Sequence, residues 1–238
     1  MTEEKPNQNK ESIEEFLESF RMASERKKNG LLTDLEDRAE ELPMLGATLL
    51  SGFDPDSCDW TPGFILQLIH KTDQNFIKNN LNCDDLSWFN DPSEVGFDYA
   101  PLQRYLLNEN YEDADRFTSS KLRELAGEKA VKRGYVYFSE VELIPTIDLS
   151  TLDKLWILYS RGKFGFTVQA KILDSVGGRY DKLWPRIGWK KDGVWTRYPK
   201  AFNWSIEAPN GHMPLVNQLR GVRLMDALLN HQALKDQT

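Results

Sequence analysis

Cysteine is scarce. Cys58 and Cys83 are the only two among 238 residues, and they lack a CxxC spacing. Such a pair offers neither a disulfide framework nor a zinc cluster, and it suits a reducing compartment. The three histidines, His70, His212 and His231, stand far apart. No run of about 18 apolar residues occurs, which excludes a bilayer-spanning helix and leaves peripheral contact as the route to a membrane. The opening MTEEKPNQNKESIEEF is acidic and has no apolar core, unlike a secretory signal or a transit peptide. HExxH, GxSxG, GxGxxG and the Walker phosphate loop are missing as well. No nucleophile with its base, metal cluster or phosphate cradle stands out, so an enzyme is not expected and no catalytic or metal-binding residue is assigned.

Three local features carry two readings each. Arg161-Gly-Lys-Phe-Gly165 is either a weak phosphate loop or an ordinary turn. Glu140 and Glu142 serve acid-base chemistry or simply favour a helix start through its dipole. His212, in Pro-Asn-Gly-His-Met-Pro, is an axial metal ligand or a loop histidine. The second reading is the cheaper one in each case.

What is present is organised in two parts. Residues 1–95 hold 9 Lys/Arg against 20 Asp/Glu, a balance of −11, whereas residues 96–238 hold 21 against 17, or +4. Within 151–224 the count is 13 against 5, or +8, so an anionic partner is expected there. The first part is read as an acidic helical bundle. Ile13, Phe16, Leu17 and Phe20 recur at helical steps, with Asn29-Gly30 as the stop. Further helices are expected at about Leu31–Glu41, at Leu45–Ser51 and from Pro62 through Ile77. The second part, 96–238, opens with an αα-hairpin that Gly127 closes. Ser139 with Glu142, and Ser150 with Asp153, read as capping boxes at helix starts. Glycines and prolines then break up 162–214. A last helix runs from Pro214 to about His231 on a stripe of Leu215, Leu219, Val222, Met225 and Leu229. The fold class is therefore all-α, with long ordered loops in the second half.

Five of the seven tryptophans, Trp156, Trp184, Trp189, Trp195 and Trp204, fall within 49 residues and are interleaved with Lys and Arg. Much of this is core. Apolar walls with cations at the rim also suit a flat ligand bearing carboxylates, or stacked nucleobases. Asn217, Arg220 and Arg223, spaced i, i+3 and i+6, form one ridge, and two arginines a turn apart can each grip a carboxylate. A solvated helix face accounts for the same spacing. Overall acidity and the absence of a nucleic-acid-binding pattern argue against nucleic acid.

From Tyr99 to about Leu229 the residues resemble the genomes-uncoupled-four family of porphyrin-binding proteins. The resemblance rests on DYAPLQRYL, EDADRFT, KLRELAG, YFSEVE, IPTIDLST, LWILYSRGKFGF, KLWPRIGWKKDGVWTRYPKAFNW and APNGHMPLVNQLRGVR. It implies an all-helical cupped-hand domain over 96–238, with an N-terminal helical bundle over 1–95. It implies binding of protoporphyrin IX and Mg-protoporphyrin IX, and stimulation of magnesium chelatase through that enzyme's large porphyrin-binding subunit, in chlorophyll biosynthesis. The implied walls are Phe138, Tyr198 and Phe202, joined by Trp195 of the aromatic cluster, and the implied polar contacts are Asn217, Arg220 and Arg223. Tyr198 stands where the family often has Trp. The resemblance further implies a monomer in a cyanobacterial cytoplasm, in part at the thylakoid surface. The rival readings are a bilin-binding protein and an interaction module with no ligand of its own.

Overall fold

Ser12 opens the first helix. Its hydroxyl accepts the Glu15 N–H while the Glu15 carboxylate accepts the Ser12 N–H, a reciprocal cap on α1 (Ile13–Arg21). The computed structural model describes residues 11–80, 87–216 and 222–235, and over them the protein is all-α with one two-residue hairpin. The chain turns at Met22–Ser24, and α2 (Glu25–Asp37) runs straight through Asn29 and Gly30. The expected stop therefore fails. Gly30 faces open space, so continuing the helix costs about 1 kcal/mol. Burial of Leu35 and of Lys28 offsets this; the Lys28 ammonium donates to the Thr61 hydroxyl (2.8 Å) and to Asp59 (3.3 Å). Where a short α-helix was expected from Leu45, a 3-10 helix spans Ala39–Leu49. Pro43 within it has no N–H to give an α-helical ladder.

The helix α3 (Thr61–Thr72) is buried from Thr61 to His70. It is followed by α4 (Phe76–Asn80) and packs against α5 (Ala100–Leu107) and α8 (Thr146–Leu158). The Gln67 amide donates to the carbonyls of Leu106 and Tyr159, both at 2.9 Å. Gly63 lies so close to α8 that an added Cβ would stand 2.3 Å from the Leu158 carbonyl oxygen. The expected hairpin forms from α5 and α6 (Tyr111–Leu125), and Gly127, at φ +103°, leads into α7 (Glu128–Arg133).

Both capping predictions shift. A second 3-10 helix, Phe138–Leu143, is capped by Glu140, whose carboxylate accepts the Tyr137 N–H at 2.8 Å. The helix α8 begins at Thr146, leaving Ser150 inside it. Asp153 instead caps the next helix, α9 (Phe166–Ser175), accepting the Thr167 N–H at 3.0 Å and its hydroxyl. Then come α10 (Tyr180–Arg186) and the pair β1 (Lys190–Lys191) and β2 (Val194–Trp195), antiparallel with Lys190 opposite Trp195. The last helices are α11 (Val222–Leu229) and α12 (Gln232–Lys235). Pro214–Val216 is not helical, and 217–221 lie outside the described residues. The buried stripe of α11 is Leu224, Met225, Leu228 and Leu229, while Val222 is exposed. Packing on both the second 3-10 helix and α9 rotates the stripe away from the expected phase.

A cationic cleft between two helices and a 3-10 turn

A narrow apolar cleft runs between α6 and α11. Leu122 and Arg123 line it from α6, Tyr135 and Val136 from the strand-like approach to the second 3-10 helix, and Val141 and Ile144 from that helix and its end. Leu215 and Val216, with Leu224 and Leu228 of α11, complete the lining. The enclosed volume is about 60 Å³. Arg123 is steadied by a hydrogen bond from its guanidinium to Ser119, 2.9 Å. Arg223 holds its guanidinium 5.6 Å from the ring centre of Phe138, a cation on an aromatic face. Phe138 is itself 47% exposed.

The other side of the same 3-10 helix faces a wider hollow of about 840 Å³, reached by Phe138, Leu143, Ala227 and His231 and sharing Val141 and Ile144 with the cleft. The charged residues on its wall are Glu94 and Glu142. The two hollows share a wall: Arg123 lines the narrow one, Glu94 and Glu142 line the wide one, and Arg223 lies over the ring of Phe138. A dianion is drawn toward the arginines and away from the carboxylates.

The residues expected at a site separate into groups. Phe138 and Arg223 are together, at the wider hollow that Phe138 lines. Tyr198 and Phe202 are also together, their rings 5.8 Å apart. Phe202 is buried against His212 (4.7 Å) and Trp204 (5.4 Å), so it backs Tyr198, the more exposed of the two. Trp195 belongs to another cluster, packed on Trp184 at 5.5 Å with Lys190 over its ring. Asn217 and Arg220 fall outside the described residues. Arg123 was not legible as a site residue, since along α6 it reads as one more charge on a solvated face.

Tyr198 is tied to Leu215 of the cleft lining through Asp115 of α6. This carboxylate is 1% exposed; it accepts the Leu215 N–H at 2.6 Å and is paired with the Tyr198 phenol. Burial pushes the Asp115 carboxyl up to about 7, against the pull of those two donors. Burial, with the adjoining Asp115 charge, likewise pushes the Tyr198 phenol up to about 12, so it remains a proton donor across the neutral range.

His212 is engaged on both sides. Nδ1 donates to the Ile187 carbonyl at 2.7 Å, and Nε2 accepts the Asn203 N–H at 3.4 Å. The ring is 2% exposed, which fits the loop-histidine reading and leaves neither nitrogen for a metal. Burial holds its pKa below the ordinary value. A histidine depressed by folding lends stability that is lost as pH falls from the unfolded value through the folded one. The stability advantage of the wild type over His212→Asn will therefore shrink between pH 7 and pH 5.5 in paired urea titrations; an advantage that grows on acidification would refute this.

The other ambiguous motifs resolve similarly. Arg161 pairs with Glu36 of α2 at 2.8 Å, and Lys163 donates to the Ile206 carbonyl, so the glycine-rich turn is a structural tie. Glu140 is held below the usual carboxylate range: partial burial opposes ionisation, but the Tyr137 N–H and Arg133 outweigh it. Among the described residues no group of three His, Cys, Asp or Glu could hold a metal ion, and no helix is long and apolar enough to cross a membrane.

An all-helical scaffold with an arginine on the wall of an apolar cleft is the frame of a binding protein, and the comparisons with known proteins narrow it. Residues 92–232 match the family model described as GUN4-like, and the chain belongs to that family, as its motifs implied. It is 51% identical over 139 residues to a Ycf53-like protein of Synechocystis, covering 58% of this chain and 60% of that protein. It is 40% identical over 141 residues to the chloroplastic tetrapyrrole-binding protein of Arabidopsis thaliana, covering 56% and 53%. The chain thus spans less than two thirds of either relative. The solved GUN4 structure from Chlamydomonas reinhardtii superposes with a TM-score of 0.57 at 38% identity, covering 60% of this chain and 92% of that one. The ligand-free Arabidopsis thaliana GUN4 gives 0.54 at 39%, covering 60% and 98%.

Proposed function

We propose that this chain binds protoporphyrin IX and Mg-protoporphyrin IX without altering them, and regulates magnesium chelatase by exchanging the porphyrin with its large subunit. The observation that carries the reading is the apolar cleft with Arg123 on its wall, beside an α11 that also presents Arg223 over the Phe138 ring. Support comes from the Arabidopsis relative, whose name states tetrapyrrole binding. The cleft holds about 60 Å³, too little for a macrocycle, so binding requires its walls to part. Residues 96–238 supply the binding unit. The bundle of 1–95 braces it through α3, and the protein acts as a monomer in a cyanobacterial cytoplasm, with peripheral contact at the thylakoid.

Burying about 300 Å² of macrocycle at roughly 25 cal/mol/Å² gives about 7 kcal/mol before the costs of association. Micromolar binding is of that order once the arginine pairs are added. Titrating protoporphyrin IX into the protein will quench tryptophan fluorescence saturably and shift the Soret band. Absence of both removes the proposal. In an assay with purified chelatase subunits, adding the protein will raise the rate of magnesium insertion, and an unchanged rate would remove the regulatory part alone.

A further inference from the structure

One buried acid near the cleft ties together two parts of the chain far apart in sequence. Asp115, in the middle of α6, is 1% exposed and receives two donors from parts of the chain remote in sequence. The Leu215 N–H, 2.6 Å away, belongs to a segment that lines the cleft. The Tyr198 phenol belongs to the aromatic loop. Leu215 also stands two residues before Asn217 in the chain.

We infer that Asp115 is a positioning residue for the tetrapyrrole site, a latch that ties the Tyr198 phenol to the backbone of Leu215 in the cleft lining and loosens when it is protonated. The inference rests on the tetrapyrrole reading, because the latch matters only if a ligand must pass between those two segments. An ionised carboxylate accepts a phenol proton far more strongly than a neutral acid does. The charged groups facing Asp115 are Glu112 and Arg116 from its own helix; the aromatic loop contributes the phenol of Tyr198, and the 213–216 segment the Leu215 N–H. Tyr198 also has Arg116 beside it. With Asp115 pushed up to about 7 by burial, the latch is closed at pH 8 and mostly released at pH 6. A tryptophan at position 198 would have no hydroxyl for this pairing.

Two measurements on the full chain test it. Without ligand, the Leu215 amide resonance will titrate near pH 7 in the wild type and lose that step in Asp115→Asn. With deuteroporphyrin IX as the probe, stopped-flow release from the wild type will quicken about fivefold between pH 8 and pH 6. Tyr198→Phe, which keeps the ring and removes only the hydroxyl, will release at the faster rate at both pH values. A Leu215 amide that does not titrate overturns the latch itself. A Leu215 step with equal pH slopes in the wild type and Tyr198→Phe overturns its role in the site. If the wild type takes up no porphyrin, the functional reading and the positioning role both fall, while the amide titration still reports on the Asp115 pairing.

Discussion

Gly63→Ala will destabilise the protein by about 3 kcal/mol, the upper range for overpacking a core. The added methyl would sit 2.3 Å from the Leu158 carbonyl oxygen and 2.9 Å from its carbon. Both are backbone atoms of α8, so no side chain can swing aside. Relief requires α3 and α8 to move apart, and that movement stretches the Gln67 hydrogen bonds to Leu106 and Tyr159. Urea unfolding of the full chain measures the effect. A loss below about 0.5 kcal/mol, the level of a neutral surface change, would mean that the two helices are not in this close contact. Gly30→Ala, where nothing lies within 4 Å, is the control, and it should stabilise by up to about 1 kcal/mol through helix propensity.

Arg123→Ala together with Arg223→Ala will weaken porphyrin binding by about 30-fold. Each guanidinium can form a charge-assisted pair with a propionate, worth about 1.5 kcal/mol in a partly exposed setting, and about 2 kcal/mol for both allows for solvent screening. Neither arginine supports the fold heavily. Arg123 gives one hydrogen bond to Ser119 on its own helix, and Arg223 lies over an exposed ring. Urea midpoints should therefore stay within about 0.5 kcal/mol of the wild type while the dissociation constant rises. The salt dependence of binding should flatten in the double variant. An unchanged dissociation constant would show that the propionates point elsewhere.

The hairpin of α5 and α6 and the core tryptophan Trp156 were legible because apolar periodicity is a local signal. Trp156 is fully buried and donates to the Thr118 hydroxyl at 2.9 Å, on the predicted inner face of α6. The capping pattern at Ser150 and Asp153 misled because a carboxylate near a hydroxyl looks the same whether it caps its own helix or the next; here tertiary packing gave Asp153 to Thr167. Asn29-Gly30 misled for a related reason, since Lys28 gained partners 31 and 33 residues away that no local pattern contains. The candidate site was half legible. Phe138 and Arg223, 85 positions apart, were named separately from matched motifs, and the fold brings them together. Arg123 and Asp115 were invisible, because on α6 alone both look like ordinary polar residues. Their significance comes from Leu215, Tyr198 and Val136, which the chain delivers from elsewhere.

The central claim is that the narrow cationic cleft, and not the wider acidic hollow beside it, receives the macrocycle. A crystal structure of the protein with Mg-protoporphyrin IX tests this most directly. The account predicts the ring between α6 and α11, against Val136 and Leu224, with propionates toward Arg123 and Arg223. A ring seated over Leu143 and His231, beside Glu94 and Glu142, would contradict it.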